Sequence, residues 1–220
     1  LYNVGGDYMQ TILKKVNNVM VIEKSRFITL LYPVHTRNET LEILDEVKQE
    51  YANATHYCYA YIIDGDVRAS DDGEPSKTAG APMLNVLVQQ DLNHILCVVI
   101  RYFGGIKLGA GGLVRAYSNS CSEALKKAQF GNVIAAKKVR IIINYEKIDK
   151  LNYILQDFKI TYKEFSDKVS YEVLVPDDKL NLLEPFPYEI INDCFITQEK
   201  GITSWNILVI LFYHKIRPFY

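Results

Sequence analysis

The stretch RYFGGIKLGAGGLVRAY, residues 101–117, combines five of the chain's twelve glycines with three cations. It follows an apolar, β-branched run at residues 93–100, which predicts a buried strand, and it leads into helical spacing from Leu113 to Gln129. The glycines therefore lie on a predicted strand-to-helix turn. Glycine tolerates positive φ and close approach of a ligand, and the first turn of a helix offers unpaired N–H groups with a partial positive charge.

The glycine turn is accordingly a candidate site for an anion or a nucleic acid. Its candidate residues are Arg101, Tyr102, Gly104, Gly105, Lys107, Gly109, Gly111, Gly112 and Arg115. The string matches neither the GxxxxGK[ST] nor the GxGxxG phosphate-binding pattern. The alternative interpretation is that the glycines only permit a tight connection.

A second polar stretch, VRASDDGEPSKTAGAPML at residues 67–84, is too polar for a core and too rich in special-backbone residues for a passive linker. We call it the acidic loop, and its candidate functional residues are Arg68, Ser70, Asp71, Asp72, Gly73, Glu74 and Thr78. Three carboxylates within four residues would suit magnesium or acid–base chemistry. Salt bridges to Arg68 and Arg101 that pin the loop are the interpretation that we favour, and no catalytic or metal-binding residue is assigned.

Local patterns predict a helix and a strand on either side of the acidic loop. Thr78 is the predicted N-cap of a helix over residues 79–90. A strand over residues 54–64 has Tyr57, Tyr59 and Tyr61 on one face. Aromatic side chains on a strand can stack on bases, and Tyr57 and Tyr59 are candidates for that role, although packing within the core is the alternative.

Charge is distributed unevenly along the chain. The net charge is −1, but residues 98–140 hold eight Lys/Arg against one acid, whereas residues 141–200 hold seven against twelve. A basic centre suggests a surface that faces a polyanion, with an ordinary solvated face as the alternative. The four cysteines show no CxxC or Cys/His metal spacing, which predicts buried thiols in a reducing, cytoplasmic compartment. Of the histidines, only His56 has a suggestive context.

We make separate predictions for the two ends of the chain. The first ten residues lack a basic segment and an apolar core, so no signal peptide is predicted, and either Leu1 or Met9 is the candidate natural start. The apolar run at residues 202–213 is shorter than the ~20 residues of a membrane helix. We interpret it as a packed or oligomer-forming strand and predict no membrane partner.

The order of elements predicts an α+β chain of two domains. A hairpin with its turn at Asn17–Asn18 opens the first domain, and a helix over residues 36–51 with Thr36 as N-cap follows. Residues 138–197 show the strand–helix–strand–strand–helix–strand order of the ferredoxin-like sandwich, with its second helix at residues 176–186. The boundary is predicted near Ala135. The predicted divisions are residues 9–134, residues 135–200 and an apolar tail at residues 201–220.

The acidic loop and the glycine turn together resemble the YigZ/Impact family, and the segments EKSRFI and ATHYCYAYIID resemble the segments that precede them in that family. The likeness covers residues 9–129, and the second half resembles the smaller C-terminal domain of the bacterial members. Residues 202–220 have no counterpart. Lys77 departs from the small residue, often glycine, that the family pattern leads us to expect.

This resemblance implies a first domain of the ribosomal protein S5 domain 2 type, like domain IV of elongation factor G, and a second domain like that factor's domain V. In the eukaryotic relatives the family domain accompanies control of the kinase that senses amino-acid starvation, through competition for its ribosome-associated activator. The expected function is therefore a non-catalytic RNA- or ribosome-associated protein that regulates translation and needs no cofactor.

Two alternatives remain open at this stage. One is an enzyme that acts on a phosphorylated small molecule or nucleotide, with magnesium on Asp71, Asp72 and Glu74 and phosphate on the glycine turn. The other is a protein-interaction regulator that docks a protein partner through the two loops without nucleic acid. The three hypotheses share one surface and differ in what that surface binds.

Overall fold

The computed structural model describes residues 9–199, a mixed α/β chain that divides into two compact units between Phe130 and Gly131. The first unit contains β1 (Met9–Ile12), β2 (Val16–Ile22), β3 (Ser25–Pro33), α1 (Arg37–Glu50), β4 (His56–Ile63), β5 (Asp66–Ser70), α2 (Gly80–Gln89), β6 (Ile95–Tyr102) and α3 (Gly109–Leu125). Long-range contacts within residues 9–130 define this unit.

The second unit contains β7 (Phe130–Ile143), α4 (Ile148–Leu155), β8 (Lys159–Phe165), β9 (Val169–Pro176) and β10 (Tyr188–Glu199). Short 3-10 segments lie at Tyr145–Lys147 and Asp177–Leu183. The predicted boundary at Ala135 lies inside β7, because that strand begins earlier than the sequence pattern suggested. The apolar tail and the choice between Leu1 and Met9 as the start fall outside the described residues.

A five-stranded antiparallel sheet in the order β2-β3-β6-β4-β5 forms the frame of the first unit. Its central strand β6 is apolar on both faces until it reaches Arg101. Cys97 and Val99 face a core that α2 and α3 cover, whereas Leu96 and Val98 face a second core that α1 covers. Because successive strand residues point to opposite faces, Arg101 faces α2 and α3.

The hairpin between β2 and β3 turns at Glu23 and Lys24, so the predicted turn at Asn17–Asn18 is wrong. Both turn residues have positive φ, 45° and 61°, as a two-residue turn between twisted strands requires. The alternation of buried and exposed positions in β2 continues through Asn17 and Asn18, and Asn18 is buried. The polar run EKSR therefore contains the two turn residues and the first two residues of β3.

The predicted helix over residues 36–51 is confirmed as α1. The Thr36 side chain accepts a hydrogen bond from the Glu39 N–H at 3.1 Å, and the Glu39 carboxylate accepts one from the His35 N–H at 2.8 Å. Reciprocal bonds of this kind satisfy backbone donors that the helix leaves unpaired. Helix α3, in contrast, begins at Gly109, four residues before the predicted start at Leu113, so three of the glycines belong to the helix itself.

The second unit is built on a sheet in the order β10-β7-β9-β8, with antiparallel neighbours throughout. One face packs against α4 around Tyr171, Leu151 and Leu183. The predicted helix over residues 176–186 is a 3-10 segment instead. Aspartate and asparagine favour turns over helix interiors, and two prolines follow within four residues of Leu183, which leaves no room for an α-helix.

The packing of Gly104 against the β2–β3 hairpin can be tested by substitution. A Cβ at this position would overlap the backbone of Lys24 and the amide nitrogen of Ser25, whereas a Cβ at Gly111 would meet only the tip of the Arg115 side chain at 3.8 Å. Backbone cannot yield as a flexible side chain does, so we expect Gly104→Ala to lower the free energy of unfolding by at least about 3 kcal/mol.

The matched control is Gly111→Ala, which removes a glycine from the first turn of α3. We expect this change to raise stability by about 0.5–1 kcal/mol, since alanine loses less backbone entropy on folding. Urea unfolding of both variants measures the difference. Equal effects of the two substitutions would contradict the packing described for Gly104.

Candidate functional site

Strand pairing places three side chains of the site in one row. Arg101 on β6 lies opposite Phe27 on β3 and opposite His56 on β4. The guanidinium of Arg101 stands 5.4 Å from the ring of Phe27 and 5.4 Å from the ring of Phe103. A cation placed over aromatic faces is stabilised by their quadrupoles, so the two rings help to hold the arginine in place.

A buried ion pair joins the acidic loop to this row. The Arg101 Nη1 lies 2.6 Å from Glu74 Oε1, and the two side chains are only 6% and 3% exposed. The hydroxyl of the fully buried Tyr117 on α3 donates to the same carboxylate oxygen at 2.7 Å. Side chains from the acidic loop, β6 and α3 thus meet at the Glu74 carboxylate. Removing the cation from such a buried pair typically lowers the free energy of unfolding by about 3–5 kcal/mol.

The Cys58 thiol lies beside this pair but is not a nucleophile. It contacts the Tyr117 hydroxyl at 3.3 Å and the Asp71 carbonyl at 3.0 Å. Burial raises the pKa of Cys58 to about 12, and burial also raises the pKa of Tyr117. Both groups remain protonated at neutral pH, so neither supplies the thiolate or phenolate that nucleophilic catalysis requires.

Asp71 caps helix α2 from a distance. Its carboxylate accepts hydrogen bonds from the Lys77, Ala79 and Gly80 N–H groups at 2.7, 3.0 and 2.9 Å. Thr78 is therefore not the N-cap. The helix starts after Ala79, and the Thr78 hydroxyl donates to the Pro75 carbonyl at 2.6 Å. Because the loop doubles back, a carboxylate eight residues upstream reaches amides that a neighbouring side chain would ordinarily cap.

Asp72 ties the loop to strand β4. Its carboxylate accepts from the Tyr57 N–H at 2.7 Å, and its carbonyl faces His56 Nδ1 at 2.7 Å. Arg68 pairs with Asp66 at 3.4 Å on an exposed surface, so the predicted bridge from Arg68 to the loop does not form. The Ser70 hydroxyl accepts from the Asp72 N–H at 3.3 Å. The loop is held by its own backbone, by β4 through Asp72 and by Arg101 through Glu74. Of the two arginines predicted to pin the loop, only Arg101 does so.

The three carboxylates therefore do not converge on a common point. Asp71 binds the amides of α2, Asp72 binds β4, and Glu74 binds Arg101. Within residues 9–199, no group of three or more His, Cys, Asp or Glu side chains is arranged to hold a metal ion. Lys77, the departure from the family pattern, has a φ of 62°, which is the conformation that glycine adopts without strain.

The glycine turn is anchored at its first residues and open at its last. The Gly104 N–H donates to the Ser25 hydroxyl at 3.1 Å, and the same oxygen lies 3.4 Å from Arg101 Nη2. Gly105 and Gly109 have φ values of 87° and 69°, and a Cβ on either would meet no other atom within 4 Å. Glycine at these two positions allows the positive φ values of the turn, and the absence of a side chain leaves the space beside the turn empty.

That space is a cleft of about 430 Å³, which we call the turn cleft. The start of α3 forms one side of it at Gly109 and Ala110, with Lys107 beside them, and Arg101 and Glu74 lie across from it. No side chain in the described part of the chain caps this end of α3, and no acid occupies its first turn. The positive end of the helix dipole is therefore open toward the cleft.

Exposed cations lie on and beside the glycine turn. Lys107 and Arg115 are exposed, and Lys24 is exposed beside Gly104. Among residues 9–199 neither Lys107 nor Arg115 forms an ion pair within 4 Å. Of the predicted anion-site residues, the structure gathers Arg101, Lys107 and Gly109 at the cleft, and Arg115 lies one turn further along α3.

The tyrosines proposed for base stacking lie on the other face of the sheet. Tyr57 and Tyr59 pack in the core that α1 covers, where the Tyr57 hydroxyl donates to the Tyr51 carbonyl at 2.7 Å. Tyr102 packs in the same core, with the Arg26 guanidinium 4.5 Å from its ring. These rings and the turn cleft do not form one surface.

Phe103 is the aromatic residue at the cleft, and the sequence analysis gave it no role. It lies two residues after Arg101 and thus points to the same side, whereas Tyr102 points to the opposite side. Its ring is 46% exposed and lines the cleft. The alternation of side chains along β6 was the sequence signal that would have identified Phe103, and not Tyr102, as the aromatic residue on the same side as Arg101.

The comparisons with known proteins identify the family of this chain. The model of the Impact N-terminal domain matches residues 23–125, a range that contains the acidic loop and the glycine turn. The chain is 41% identical over 201 residues to the IMPACT family member YvyE of Bacillus subtilis, which covers 88% of this chain and 91% of that protein. The chain belongs to the Impact family.

Other relatives extend over most of this Impact-family chain. The Escherichia coli family member YigZ is 33% identical over 172 residues, which is 75% of this chain and 84% of that protein. A crystal structure of a hypothetical protein is similar over 84% of this chain and 98% of its own, with 29% identity and a TM-score of 0.59. The predicted resemblance to the YigZ/Impact family is confirmed.

Asp71 yields a pH-dependent prediction. Burial raises the pKa of its carboxyl, but the three backbone N–H groups outweigh that effect and hold the pKa below its ordinary value. A depressed folded-state pKa contributes stability that is complete above the unfolded pKa of about 4 and is lost as pH falls through the folded value. Asparagine loses the charge and one of the two acceptor oxygens that these amides share, so we expect Asp71→Asn to lower the free energy of unfolding by about 1–2 kcal/mol at pH 7.

The gap between parent and variant should narrow as pH falls below about 4, because the parent then loses its charged cap. Urea unfolding at pH 7 and at pH 3 or lower measures it. Asp66→Asn is the control, since the Asp66 carboxylate pairs with the exposed Arg68. A gap for Asp71→Asn that stays constant across this range would contradict the capping role.

Proposed function

We propose that this Impact-family chain is a non-catalytic, RNA- or ribosome-associated regulator of translation that holds phosphate groups at the glycine turn. The observation that carries the proposal is the uncapped start of α3, which opens on the turn cleft beside Lys107 and Arg101. Helix N-termini with neighbouring cations are established positions for phosphate, and phosphate contacts supply most of the affinity of non-specific RNA binding.

The acidic loop opposes this role less than its composition suggests. Glu74 is buried and neutralised by Arg101, and the carboxylates of Asp71 and Asp72 accept hydrogen bonds from backbone amides, although Asp72 remains exposed. Lys107, which lines the cleft, and Arg115, further along α3, are exposed and supply the positive charge for phosphate contacts.

The enzymatic alternative receives less support from the same geometry. Asp71 and Asp72 already accept hydrogen bonds from backbone amides, so a magnesium ion would have to displace the contacts that hold α2 and β4. The thiol and the phenol near Glu74 are protonated. A protein partner that docks on the two loops differs from RNA only in its chemistry, and the binding experiment separates these two.

We also propose the finer names of the two folds and the location of the chain. The sheet order of the first unit with helices on both faces supports the ribosomal protein S5 domain 2 type, like domain IV of elongation factor G. The order β10-β7-β9-β8 supports a ferredoxin-like second unit, like domain V of that factor. A protein that acts on the ribosome would be located in the cytoplasm. No helix in residues 9–199 has the length and apolarity to cross a bilayer.

The test is binding of a fluorescently labelled single-stranded RNA and of ribosomal RNA fragments across a salt series. The parent is compared with the Lys107→Ala/Arg115→Ala double variant. If the two cations contact phosphates, the slope of log K against log salt should become shallower by about 1.4 for single-stranded RNA. Affinity at low salt should fall at the same time.

The matched control is Lys126→Ala/Lys127→Ala, which removes two exposed lysines from the other end of α3. Its net charge equals that of the test variant, so a general charge effect would lower the RNA affinity of both equally. Equal losses, or no binding by the parent at low salt, would overturn the proposal. In the second case, recovery of a protein from ribonuclease-treated lysate would favour the protein-interaction alternative.

A further inference from the structure

The turn cleft has the dimensions and walls of a small-molecule site. Its volume of about 430 Å³ lies within the range of roughly 300–1,000 Å³ that is typical of ligand pockets. Apolar atoms of Pro75, Phe103, Leu108 and Leu113 supply much of the lining, and Arg101, Glu74, His56 and Lys107 supply its polar groups. A simple phosphate contact on a flat surface would need no such cleft.

Arg101 supplies the second sign of a ligand, independent of the helix terminus. Its side chain is 6% exposed, and its Nη1 and Nη2 groups contact Glu74 and Ser25. Its Nε, however, is buried without a hydrogen-bond partner among the described residues. A buried guanidinium N–H without an acceptor costs free energy, and Arg101 is one of the residues that line the cleft.

His56 and Glu74, in contrast to Arg101, present hydrogen-bond acceptors toward each other. The ring nitrogen Nδ1 of His56 lies 2.7 Å from the Asp72 carbonyl, so in the neutral ring Nδ1 donates and Nε2 is an acceptor. Nε2 stands 3.8 Å from Glu74 Oε2, which is itself an acceptor. A hydroxyl or amino group from a ligand would supply the donor that these two atoms lack.

Phe103 provides the remaining chemistry. One side of its ring faces the Arg101 guanidinium at 5.4 Å, and the side chain is 46% exposed where it lines the cleft. Exposed aromatic rings beside cations are typical platforms for a base, because every base has a flat π face. An anion end, a donor requirement and an aromatic wall thus occur within a single cavity.

We infer that the turn cleft binds one nucleoside monophosphate unit. Its phosphate lies at the start of α3 beside Lys107, its base packs on Phe103, and its hydroxyl or amino groups donate to Glu74 and His56. This inference deepens the proposed function and rests on it where the unit belongs to an RNA strand. The same chemistry also occurs in a free mononucleotide, and the experiment below separates the two sources.

The first arm tests the cleft with small probes. Calorimetric titration of the parent with AMP, adenosine and inorganic phosphate is expected to give saturable binding of AMP that is tighter than that of either fragment. Phe103→Ala is expected to weaken AMP binding by about 5- to 100-fold, the range typical of lost base stacking, and Phe103→Tyr is expected to restore it. Thermal unfolding checks that each variant is folded.

The second arm blocks the phosphate end without disturbing the fold. Ala110 lines the cleft in the first turn of α3. Ala110→Glu places a negative charge where the helix dipole stabilises it, so the variant should fold as well as the parent and yet lose AMP affinity by at least about tenfold. Ala110→Gln, of the same shape and neutral, should retain binding.

The third arm identifies the source of the nucleotide. A single-stranded A-rich RNA is compared with a ribose-phosphate strand that lacks bases. If the strand enters the cleft, Phe103→Ala lowers affinity for the RNA to that for the baseless strand. If the variant affects only AMP, the site serves a free nucleotide.

Failure of the inference and failure of the proposed function give different results. AMP that binds no more tightly than inorganic phosphate, or that is insensitive to both Phe103→Ala and Ala110→Glu, overturns the nucleotide site even if RNA binding depends on Lys107 and Arg115. AMP binding that depends on both positions supports the site, even where the parent shows no affinity for RNA and the proposed function fails.

Discussion

The buried ion pair between Glu74 and Arg101 is the interaction on which the site depends. Two charges removed from water are stabilised when they face each other and when further hydrogen bonds satisfy their other polar atoms. Tyr117 and Ser25 supply partners from α3 and β3, and the rings of Phe27 and Phe103 flank the arginine. One carboxylate therefore fixes the acidic loop, the end of β6 and helix α3 relative to one another.

A steric constraint complements this electrostatic one. Gly104 lies against the backbone of Lys24, so the chain leaving β6 is held on the β2–β3 hairpin before it turns into α3. The positive φ values of Gly105 and Gly109 then direct the start of the helix toward the cleft. The acidic loop and the glycine turn, separate in the sequence, thereby line one cleft, where Lys107 and the uncapped start of α3 form an arrangement suited to holding phosphate.

Much of the fold followed from local patterns, and the exceptions have physical causes. Capping by Thr36 predicted α1 because that signal lies within four residues, whereas the capping of α2 by Asp71 depends on a loop that doubles back. The hairpin turn was misplaced because Glu23 and Lys24 adopt positive φ without glycine or asparagine. At the site, residue types indicated Arg101 and Lys107, both of which line the cleft, but the partners of each carboxylate depended on tertiary contacts.

The most direct test of the account is a ¹H–¹⁵N NMR titration of the labelled protein with inorganic phosphate and with AMP at constant ionic strength. The account predicts saturable shifts of the amide resonances of Gly109, Ala110 and Gly111, larger with AMP, together with a shift of the Arg101 Nε–H resonance. Shifts absent from the start of α3, or spread evenly over surface lysines, would contradict the assignment of the turn cleft as an anion site.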